Sequence, residues 1–353
     1  GEDRLWQELS RLIMDIQENH FTPIRLKKDG KMADFTYCSI AQYGPAMETV
    51  RYDTFSALMD DFYALREQQE RVRQRGADLL RTATTARDRL RRKLAQQEKD
   101  YAATQDRDQL RIYGDLITAN LYRMERGQSR LETENFYDPA GGTIAIPLDP
   151  LLTPQQNAAK YYKRYTKAKT AEKYLTEQIA IARRDLDYIE SVLEELNRAE
   201  TEQDFLDIRG ELRDAGFLRR QGKKEVSRPA RPLEFRTTSG FRVLVGRNNR
   251  QNDKLTKSAG PRDIWLHTQK IHGSHVILCT EGREADDDTI VEAAKLAAWF
   301  SQAREGANVP VDYTMVKNVK KPAGARPGMV IYSTCRTVNV TPAGELVKKL
   351  AKP

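Results

Sequence analysis

Two stretches of the chain carry apolar or small residues at alternating steps of four and three. The first stripe consists of Val72, Gly76, Leu79, Ala83, Ala86 and Leu90, and resumes at Leu94, Gln97 and Tyr101. The second stripe consists of Leu175, Ile179, Ala182, Leu186, Ile189, Leu193 and Leu196. This spacing keeps one narrow face of a helix buried and is typical of coiled coils. We predict two long helices that pair within one chain as an antiparallel hairpin; a parallel homodimer is the alternative.

The second long helix has a marked beginning. Thr153 is a suitable N-cap, Pro154 suits the first helical position, and Gln156 completes a capping box. A helix from Pro154 to about Ala199 spans roughly 70 Å at 1.5 Å per residue. Between the helices, residues 109–152 predict a small tip subdomain, with a short helix ending at Gly127 and strand-like runs at 136–137 and 144–146. This tip either caps the helix ends or forms a contact site.

The chain begins within a helical pattern and without an initiator Met. A helix over residues 1–18 is followed by two strand-like runs, 21–28 and 33–40, joined by Asp29-Gly30, a strong hairpin signal. Two strands alone do not make a stable sheet. We therefore expect residues 1–53 to be the remnant of a domain whose earlier part is missing.

The last third of the chain mixes both periodicities. A helix from about Glu202 ends at Gly216, a typical left-handed cap, and a polar, Pro-containing linker follows over 219–232. From Leu233 onward the chain contains seven strand-like runs. One helix is expected from about Asp286 to Gln302. The predicted fold class is α plus α+β: a long antiparallel coiled-coil hairpin with a small tip over 54–218, and a mixed α+β domain over 233–353.

The positive charge is concentrated in that last third. The whole chain has a net charge of +8, but residues 219–353 carry 25 Lys or Arg against 13 Asp or Glu, a net charge of +12. A block this basic favours a polyanionic partner such as nucleic acid. The alternative is a solvated basic domain without such a partner.

Several function classes find no support in the composition. Three widely spaced cysteines, Cys38, Cys279 and Cys335, form no CxxC or Cys/His cluster, so we expect reduced thiols that act as small core residues. There is no run of about 18 apolar residues and no secretory pattern at the start. We predict a cytoplasmic protein with no metal and no cofactor.

Three long motifs resemble one known family. They read GPRDIWLHTQKIHGSHVIL and VDYTMVKNVKKPAGARPGMVIYSTCRTVNV in the last domain, and LDPLLTPQQNAAKYYKRYTKAKTA before the returning helix. Their order and length resemble the NFACT family, with the last domain similar to its NFACT-R RNA-binding module. On this resemblance we expect the chain to lack the family's NFACT-N domain and most of its helix–hairpin–helix segment.

The resemblance implies a ribosome-associated quality-control factor and not an enzyme. Such proteins bind the large ribosomal subunit, its rRNA and the peptidyl-tRNA it still holds. They recruit tRNA, alanyl in bacteria, for template-free C-terminal tailing of the stalled chain, and the ribosome performs the chemistry. Ribosomal proteins are possible partners at the tip of the helical hairpin, which we call the arm. The alternative is a surface-exposed adhesin that binds fibronectin, because a basic block also suits acidic matrix polymers.

Candidate RNA-binding residues come from two basic loops and one His-containing turn. The first loop supplies Arg247, Asn248, Arg250, Lys254, Lys257 and Arg262. The second loop supplies Lys317, Lys320, Lys321 and Arg326, and the turn supplies His267, His272, Ser274 and His275. Arg and Lys bind phosphates, and amides bridge phosphate, ribose or base edges. A solvated loop is the alternative for each basic group.

The turn does not favour metal or hydrolase chemistry. Zinc needs three or four ligands at suitable spacing, and a nucleophilic serine needs a base with an orienting carboxylate. Trp265 and Tyr332 lie in predicted strands, where an aromatic side chain is more often core than base-stacking. On the arm, the candidate contact residues are Lys160, Lys163, Arg164 and Lys167, for which a solvated face is equally plausible.

Overall fold

The computed structural model describes residues 2–28, 31–37, 47–219 and 230–351. The Asp29-Gly30 turn, Cys38 and most of the predicted linker lie outside these residues. Two compact units are present, Gly1–Leu79 and Leu80–Pro353. The structure is a mixture of helix and sheet, with a long helical region followed by a sheet-rich C-terminal region, as the predicted α plus α+β class requires. Within the described ranges, no helix combines the length and apolar content of a membrane span.

The first unit is a three-stranded sheet with helical neighbours in sequence. Its elements are α1 (Glu2–Gln17), β1 (Ile24–Lys28), β2 (Lys31–Thr36), β3 (Met47–Arg51) and the first part of α2 (Phe55–Ala102). The predicted hairpin of β1 and β2 is present, and β3 pairs antiparallel with the other side of β1. Pattern analysis missed β3, which supplies the third strand that a stable sheet needs. Ile24, Leu26, Leu58 and Phe62 are buried.

In the second unit, the long helix returns along the chain that precedes it. The elements are the rest of α2, then α3 (Arg107–Ala119), β4 (Arg130–Glu134), β5 (Thr143–Pro147), α4 (Pro154–Arg198) and α5 (Glu202–Asp214). The α4 capping box forms as predicted, with Thr153 and Gln156 each bonding to the backbone of the other. Three ion pairs join α4 to the preceding helices in antiparallel order: Arg91–Glu190, Glu98–Arg183 and Arg107–Glu172. All seven residues of the predicted second stripe are buried or half-buried.

The tip region packs closely on the beginning of α4. A Cβ on Gly114 of α3 would lie 2.8 Å from the Tyr162 ring, so only glycine permits this approach of the two helices. Leu116, Ile117, Ile146 and Tyr161 form the buried cluster beneath it. The short helix ends at Ala119, not at Gly127, and residues 136–137 lie in the turn between β4 and β5.

The C-terminal region is built on a six-stranded antiparallel sheet with the order β13-β10-β8-β9-β7-β6. Its elements are β6 (Leu233–Arg236), β7 (Arg242–Val245), α6 (Asn249–Ser258), β8 (Ile264–Thr268), β9 (Val276–Cys279), α7 (Asp287–Trp299), β10 (Val309–Met315), β11 (Val319–Lys320), β12 (Ile331–Tyr332), β13 (Arg336–Val340) and α8 (Gly344–Leu350). β11 and β12 form a separate two-stranded ribbon.

The two faces of this sheet have separate cores, because successive side chains of a strand point to opposite faces. Leu266 belongs to the larger core, in which α7 contributes Ala293, Ala294 and Leu296. Its neighbour Trp265 belongs to the smaller core, with Leu255 of α6, Ile277 and Val316. Tyr332 of the β11–β12 ribbon packs against this smaller core. The expectation that Trp265 is a core residue is therefore met, and its surroundings are described below.

The cysteines differ in their environments. Cys279 is half-buried at the end of β9, and burial raises the pKa of its thiol to about 11. Cys335 is exposed, so the expectation of a core residue is wrong at that position. It follows Thr334, whose φ of +51° marks a tight turn before β13.

Candidate nucleic-acid interface

Asp263 ties together the segments at one end of the C-terminal sheet. Its carboxylate accepts hydrogen bonds from the N–H groups of Gly260 and Thr280, each at 2.8 Å. Its carbonyl accepts from the N–H of Val316 at 2.9 Å, and the N–H of Lys317 donates to Pro261 at 3.2 Å. These bonds bring the segment that follows α6 against the segment that follows β10. Arg262 and Lys317, predicted from two separate loops, therefore lie at the same end of the sheet.

Four cations line an open groove of about 700 Å³ at this end, and we call it the basic groove: Arg262, Arg283, Lys317 and Arg336. All four side chains are exposed. Arg283 lies 4.0 Å above the ring of Phe241, which holds its guanidinium in place. Glu284 is the one carboxylate among the described residues that line the groove. In the described part of the chain, Arg262, Lys317 and Arg336 form no ion pair.

Neutral polar groups complete the groove. Thr314 donates to the carbonyls of Ser333 and Thr334 at 3.2 and 3.1 Å, and it accepts from Asn318 at 2.9 Å. These bonds fix the turn that leads into Arg336. Met315, 45% exposed, adds an apolar surface beside the charges. Unpaired cations beside amide and hydroxyl groups suit phosphate and sugar contacts, which form half to two-thirds of the hydrogen bonds in protein–DNA complexes.

Sequence reasoning did not find Arg283 and Arg336. Each is a single cation beside a turn, and neither belongs to a basic run. The sheet brings them to Arg262 because Arg336 pairs across strands with Tyr313, and Met315 with Ile264. No local signal in the sequence marks this convergence.

Other cations of the same domain face α4 and α5, and we call them the arm-facing cations: Arg247, Arg250 and Arg326. The Arg247 guanidinium is 3.1 Å from both carboxylate oxygens of Asp204, and Arg250 pairs with Asp214. Arg326 lies 2.7 Å from Asp185 and over the rings of Tyr188 and Phe217. Arg198 donates to Ser274 at 2.6 Å and to the Phe300 carbonyl at 2.7 Å. These contacts attach the end of α4 and α5 to the sheet region.

The remaining predicted loop residues divide between helix and turn. The segment predicted as a loop between strands is the helix α6, so that expectation is wrong: Asn248 is its buried N-cap and accepts from Gln251 at 2.9 Å. Lys254 and Lys257 are exposed on this helix, and Lys320 is exposed after β10. Lys321 pairs with Asp253. The roles of these residues in RNA binding remain predictions.

The His-containing turn lies at the opposite end of β8 from the groove. Ser274 is buried, accepts from Arg198, and donates to the Gly246 carbonyl at 2.5 Å, so its hydroxyl is occupied. His272 lies 3.7 Å from Asp187 of α4. Burial lowers the pKa of His267 to about 4 and of His275 to about 3, which makes both imidazoles neutral at physiological pH. Among the residues that the structure describes, no group of three or more His, Cys, Asp or Glu could hold a metal.

The candidate contact residues of the arm lie on one turn after another of α4. Lys160 pairs with Asp149 at 2.9 Å, and Arg164 lies over the ring of Tyr161 at 5.7 Å. Lys163 and Lys167 are exposed. Tyr161 is buried.

Two family models together match residues 2–333 of the chain. Residues 2–231 match the family model described as NFACT N-terminal and middle domains, and residues 231–333 match the NFACT protein RNA binding domain. The expectation that the chain lacks the N-terminal NFACT part is therefore wrong.

Relatives and a solved structure agree with these matches. The chain is 38% identical over 349 residues to the Rqc2 homolog RqcH of Bacillus subtilis, covering 98% of this chain and 60% of the relative. Identity to the Rqc2 homolog RqcH of Streptococcus suis is 32%, covering 98% of this chain and 64% of that relative. The solved C-terminal part of the fibronectin/fibrinogen-binding protein from Streptococcus suis superposes with a TM-score of 0.64 at 30% identity, covering 80% of this chain and all of that one.

Proposed function

The chain belongs to the NFACT family, and from this we propose that it is an RNA-binding factor of ribosome-associated quality control that holds RNA phosphates in its basic groove. The observation that carries the proposal is the groove itself. Four cations from separate segments converge there, and three of them form no ion pair in the described part of the chain. Structural cations are normally paired with carboxylates, so unpaired cations in one open groove favour an external anion.

The family resemblance supplies the finer proposal. In it the protein binds a large ribosomal subunit that holds peptidyl-tRNA, contacts rRNA, and recruits tRNA, alanyl in bacteria, for C-terminal tailing. The ribosome performs the peptide-bond chemistry, and this protein supplies positioning and charge. The chain spans about 60% of the length of the Bacillus subtilis relative, and these whole-protein activities are proposals for this chain.

The arm has the features of a distant contact in this scheme. α4 has 45 residues, a length of roughly 67 Å at 1.5 Å per residue, and it returns antiparallel to the helices before it. At the tip, Tyr122, Phe136 and Leu151 are 85%, 59% and 80% exposed. We propose that the tip and the lysines beside it contact the ribosome.

The groove is tested with a charge-reversal variant, Arg262→Glu, Lys317→Glu and Arg336→Glu together. Affinity for tRNA is measured by fluorescence anisotropy over a series of salt concentrations. Each lost phosphate contact lowers the log–log slope by about 0.7–0.9, so the slope should fall by roughly 2 to 3 and the affinity by at least about tenfold. The matched control is Arg236→Glu, Lys348→Glu and Lys349→Glu, which makes the same charge change at exposed positions on β6 and α8.

The two triple variants separate a local site from a general charge effect. The proposal requires the groove variant to lose more affinity and more slope than the control variant. Equal losses would mean that only the net charge of the region matters. Co-sedimentation with large subunits, with and without peptidyl-tRNA, then tests the ribosomal part: the wild-type protein should pellet with the loaded subunits and the groove variant should not.

One alternative function follows from a specific comparison. The similar solved structure comes from a protein named for fibronectin and fibrinogen binding. In that case the exposed cations would bind acidic or sulfated matrix polymers. Binding to immobilised fibronectin at physiological salt, measured without RNA, distinguishes the two functions, because an adhesin binds fibronectin and an RNA-binding factor does not.

A further inference from the structure

An open cavity of about 370 Å³ lies on the face of the sheet that carries the smaller core, next to α4. Its floor and walls include four aromatic side chains: Trp265, His267, His275 and Tyr332. Lys270 and Asp187 lie at its rim, and both are exposed. None of the contacts described for the basic groove involves this cavity. Its volume is within the range of about 300–1,000 Å³ that is typical of small-ligand pockets.

The four rings form a continuous aromatic surface. His267 is stacked nearly parallel to Trp265, with 10° between the planes and 5.6 Å between the centroids. Tyr332 lies 4.8 Å from Trp265, and His275 meets both Trp265 and His267 edge-on. Trp265 is 1% exposed and His275 2%, so the floor is fixed by the core, whereas His267 and Tyr332 are partly accessible from the cavity.

The rings are held in place from outside the cavity. The Tyr332 hydroxyl donates to Asp312 at 2.8 Å, and Thr337 donates to the other oxygen of that carboxylate at 2.6 Å. Nδ1 of His275 is 2.8 Å from the Thr256 hydroxyl. The indole N–H of Trp265 is buried and has no hydrogen-bond partner in the described part of the chain. A rigid aromatic surface is suited to a flat ligand.

The charge of the cavity distinguishes it from a phosphate site. Neutral His267 and His275 add no charge to its walls. Lys270 is the cation at the rim; its φ of +59° places it in a tight turn after β8. The cavity therefore combines an aromatic interior with Lys270 and Asp187 at its entrance. RNA-binding proteins recognise unpaired bases by stacking them on aromatic side chains.

We propose that this cavity binds one unstacked nucleotide, with the base against Trp265, His267 and Tyr332 and the phosphate beside Lys270. The inference rests on the proposed RNA-binding function and adds a second, base-contacting site to it. Contacts between RNA phosphates and the basic groove give affinity without distinguishing the bases. This cavity, in contrast, accepts a base that is turned out of the strand. A nucleotide in an RNA strand and a free mononucleotide both present a base and a phosphate to such a site.

The test uses the full chain and two probes: a single-stranded RNA octamer containing one 2-aminopurine, and free nucleoside monophosphates. The blocking variant is Asp187→Trp, which places a large ring at the rim from an exposed position on α4. Asp187→Ala is its matched control, since it removes the same carboxylate without filling the cavity. His267→Ala removes one stacking ring. Stacking contributes about 1–3 kcal/mol per base, so both Asp187→Trp and His267→Ala should weaken octamer binding about 5- to 150-fold, and Asp187→Ala should not.

Salt dependence separates this site from the groove. The pocket variants should keep the wild-type salt slope, because they remove no groove phosphate contact, and they should abolish the fluorescence change of bound 2-aminopurine. The groove variant should lower the slope and keep that change in the fraction that binds. If Asp187→Trp and Asp187→Ala bind both probes equally well, the pocket proposal is wrong while groove binding stands. If wild-type protein binds the mononucleotides as tightly as the octamer, the ligand is a free nucleotide and not a strand.

If the proposed RNA-binding function is wrong, the experiment gives a different result from the one that contradicts the pocket. Wild-type protein that fails to bind the octamer at low salt contradicts the groove. Calorimetry with the monophosphates then still examines the cavity: binding that disappears in Asp187→Trp supports a nucleotide pocket, and absence of binding in the wild-type protein refutes it.

Discussion

The arm-facing cations and the basic groove contain the same residue types in the same domain and differ in their partners. Arg247 and Arg326 meet carboxylates and aromatic rings of α4 and α5. Arg262, Lys317 and Arg336 meet solvent in the described structure. A basic residue of this domain is therefore either paired with an acidic residue of α4 or α5 or left exposed to solvent. The positions of the acidic residues on these helices decide between the two. The difference predicts that the first group contributes to stability and the second to RNA affinity.

The largest effect should come from breaking α4, which carries Asp185, the carboxylate partner of Arg326. Ile189 is fully buried and Leu186 half-buried on its stripe. Replacing both with Asp puts unpaired charges into an apolar contact, at a cost of several kcal/mol. Far-UV circular dichroism should show lost helicity and early melting. Sedimentation equilibrium of the wild-type protein should show a monomer; a dimer dissociated by these substitutions would mean that the pairing helix belongs to a second chain.

Arg247→Ala should have the next largest effect. The Asp204 side chain is 5% exposed and would lose its guanidinium partner, whereas Arg247 itself is 26% exposed. Removing one member of a fully buried pair costs about 3–5 kcal/mol, and partial exposure reduces this to roughly 2 kcal/mol. Urea unfolding measures the loss. The salt slope of tRNA binding should stay unchanged, and a lower slope would place Arg247 among the phosphate contacts.

Lowering the pH should reduce the free energy of unfolding by an amount similar to the loss expected for Arg247→Ala. Burial, with His267 and Lys321 adding like charge, lowers the pKa of His275 to about 3. The unfolded chain binds this proton below about pH 6.5, so acid favours unfolding, and the stability of the neutral form is lost as pH falls from 6.5 towards 3. Between pH 7 and pH 5 the loss should be roughly 2 kcal/mol, at about 1.4 kcal/mol per pH unit. Urea unfolding of His275→Asn should show a flatter pH profile, and an identical profile would contradict this assignment.

The smallest effect on stability should come from the groove. Alanine at Arg262, Lys317 and Arg336 removes exposed side chains that form no ion pair in the described structure, so unfolding free energy should change by less than about 0.5 kcal/mol per position. RNA affinity should nevertheless fall. A large loss of stability in this variant would remove the distinction between the two groups of cations. Protection of the exposed Cys335 thiol from maleimide by bound RNA gives an independent measure of occupancy at the groove.

Local signals sufficed for the elements that carry their own caps and periodicity. Helix α4 begins at its capping box, and α5 is followed by Gly216 with a φ of +86°. The apolar stripe of α4 is buried or half-buried along its length. The helix α6 was missed because its ten residues contain a single large apolar side chain, Leu255, among polar ones. Its stability comes from that one contact and from the buried Asn248 cap, which pattern analysis does not weigh.

The sequence by itself determined the fold class, the long helices, the basic character of the last domain and its family, since these depend on composition, period and local order of residues. Tertiary structure alone decided which cations remain available. Arg283 and Arg336 reach the groove, and Arg247 and Arg326 are paired, because antiparallel register and helix packing place residues from separate segments side by side. The cavity of Trp265 and Tyr332 has the same origin, since its walls come from strands, a ribbon and a helix that the chain connects only at long range. The charge and the aromatic content of a segment can be read from the sequence. The pairing of a cation and the lining of a cavity depend on which residues lie close together in the folded chain.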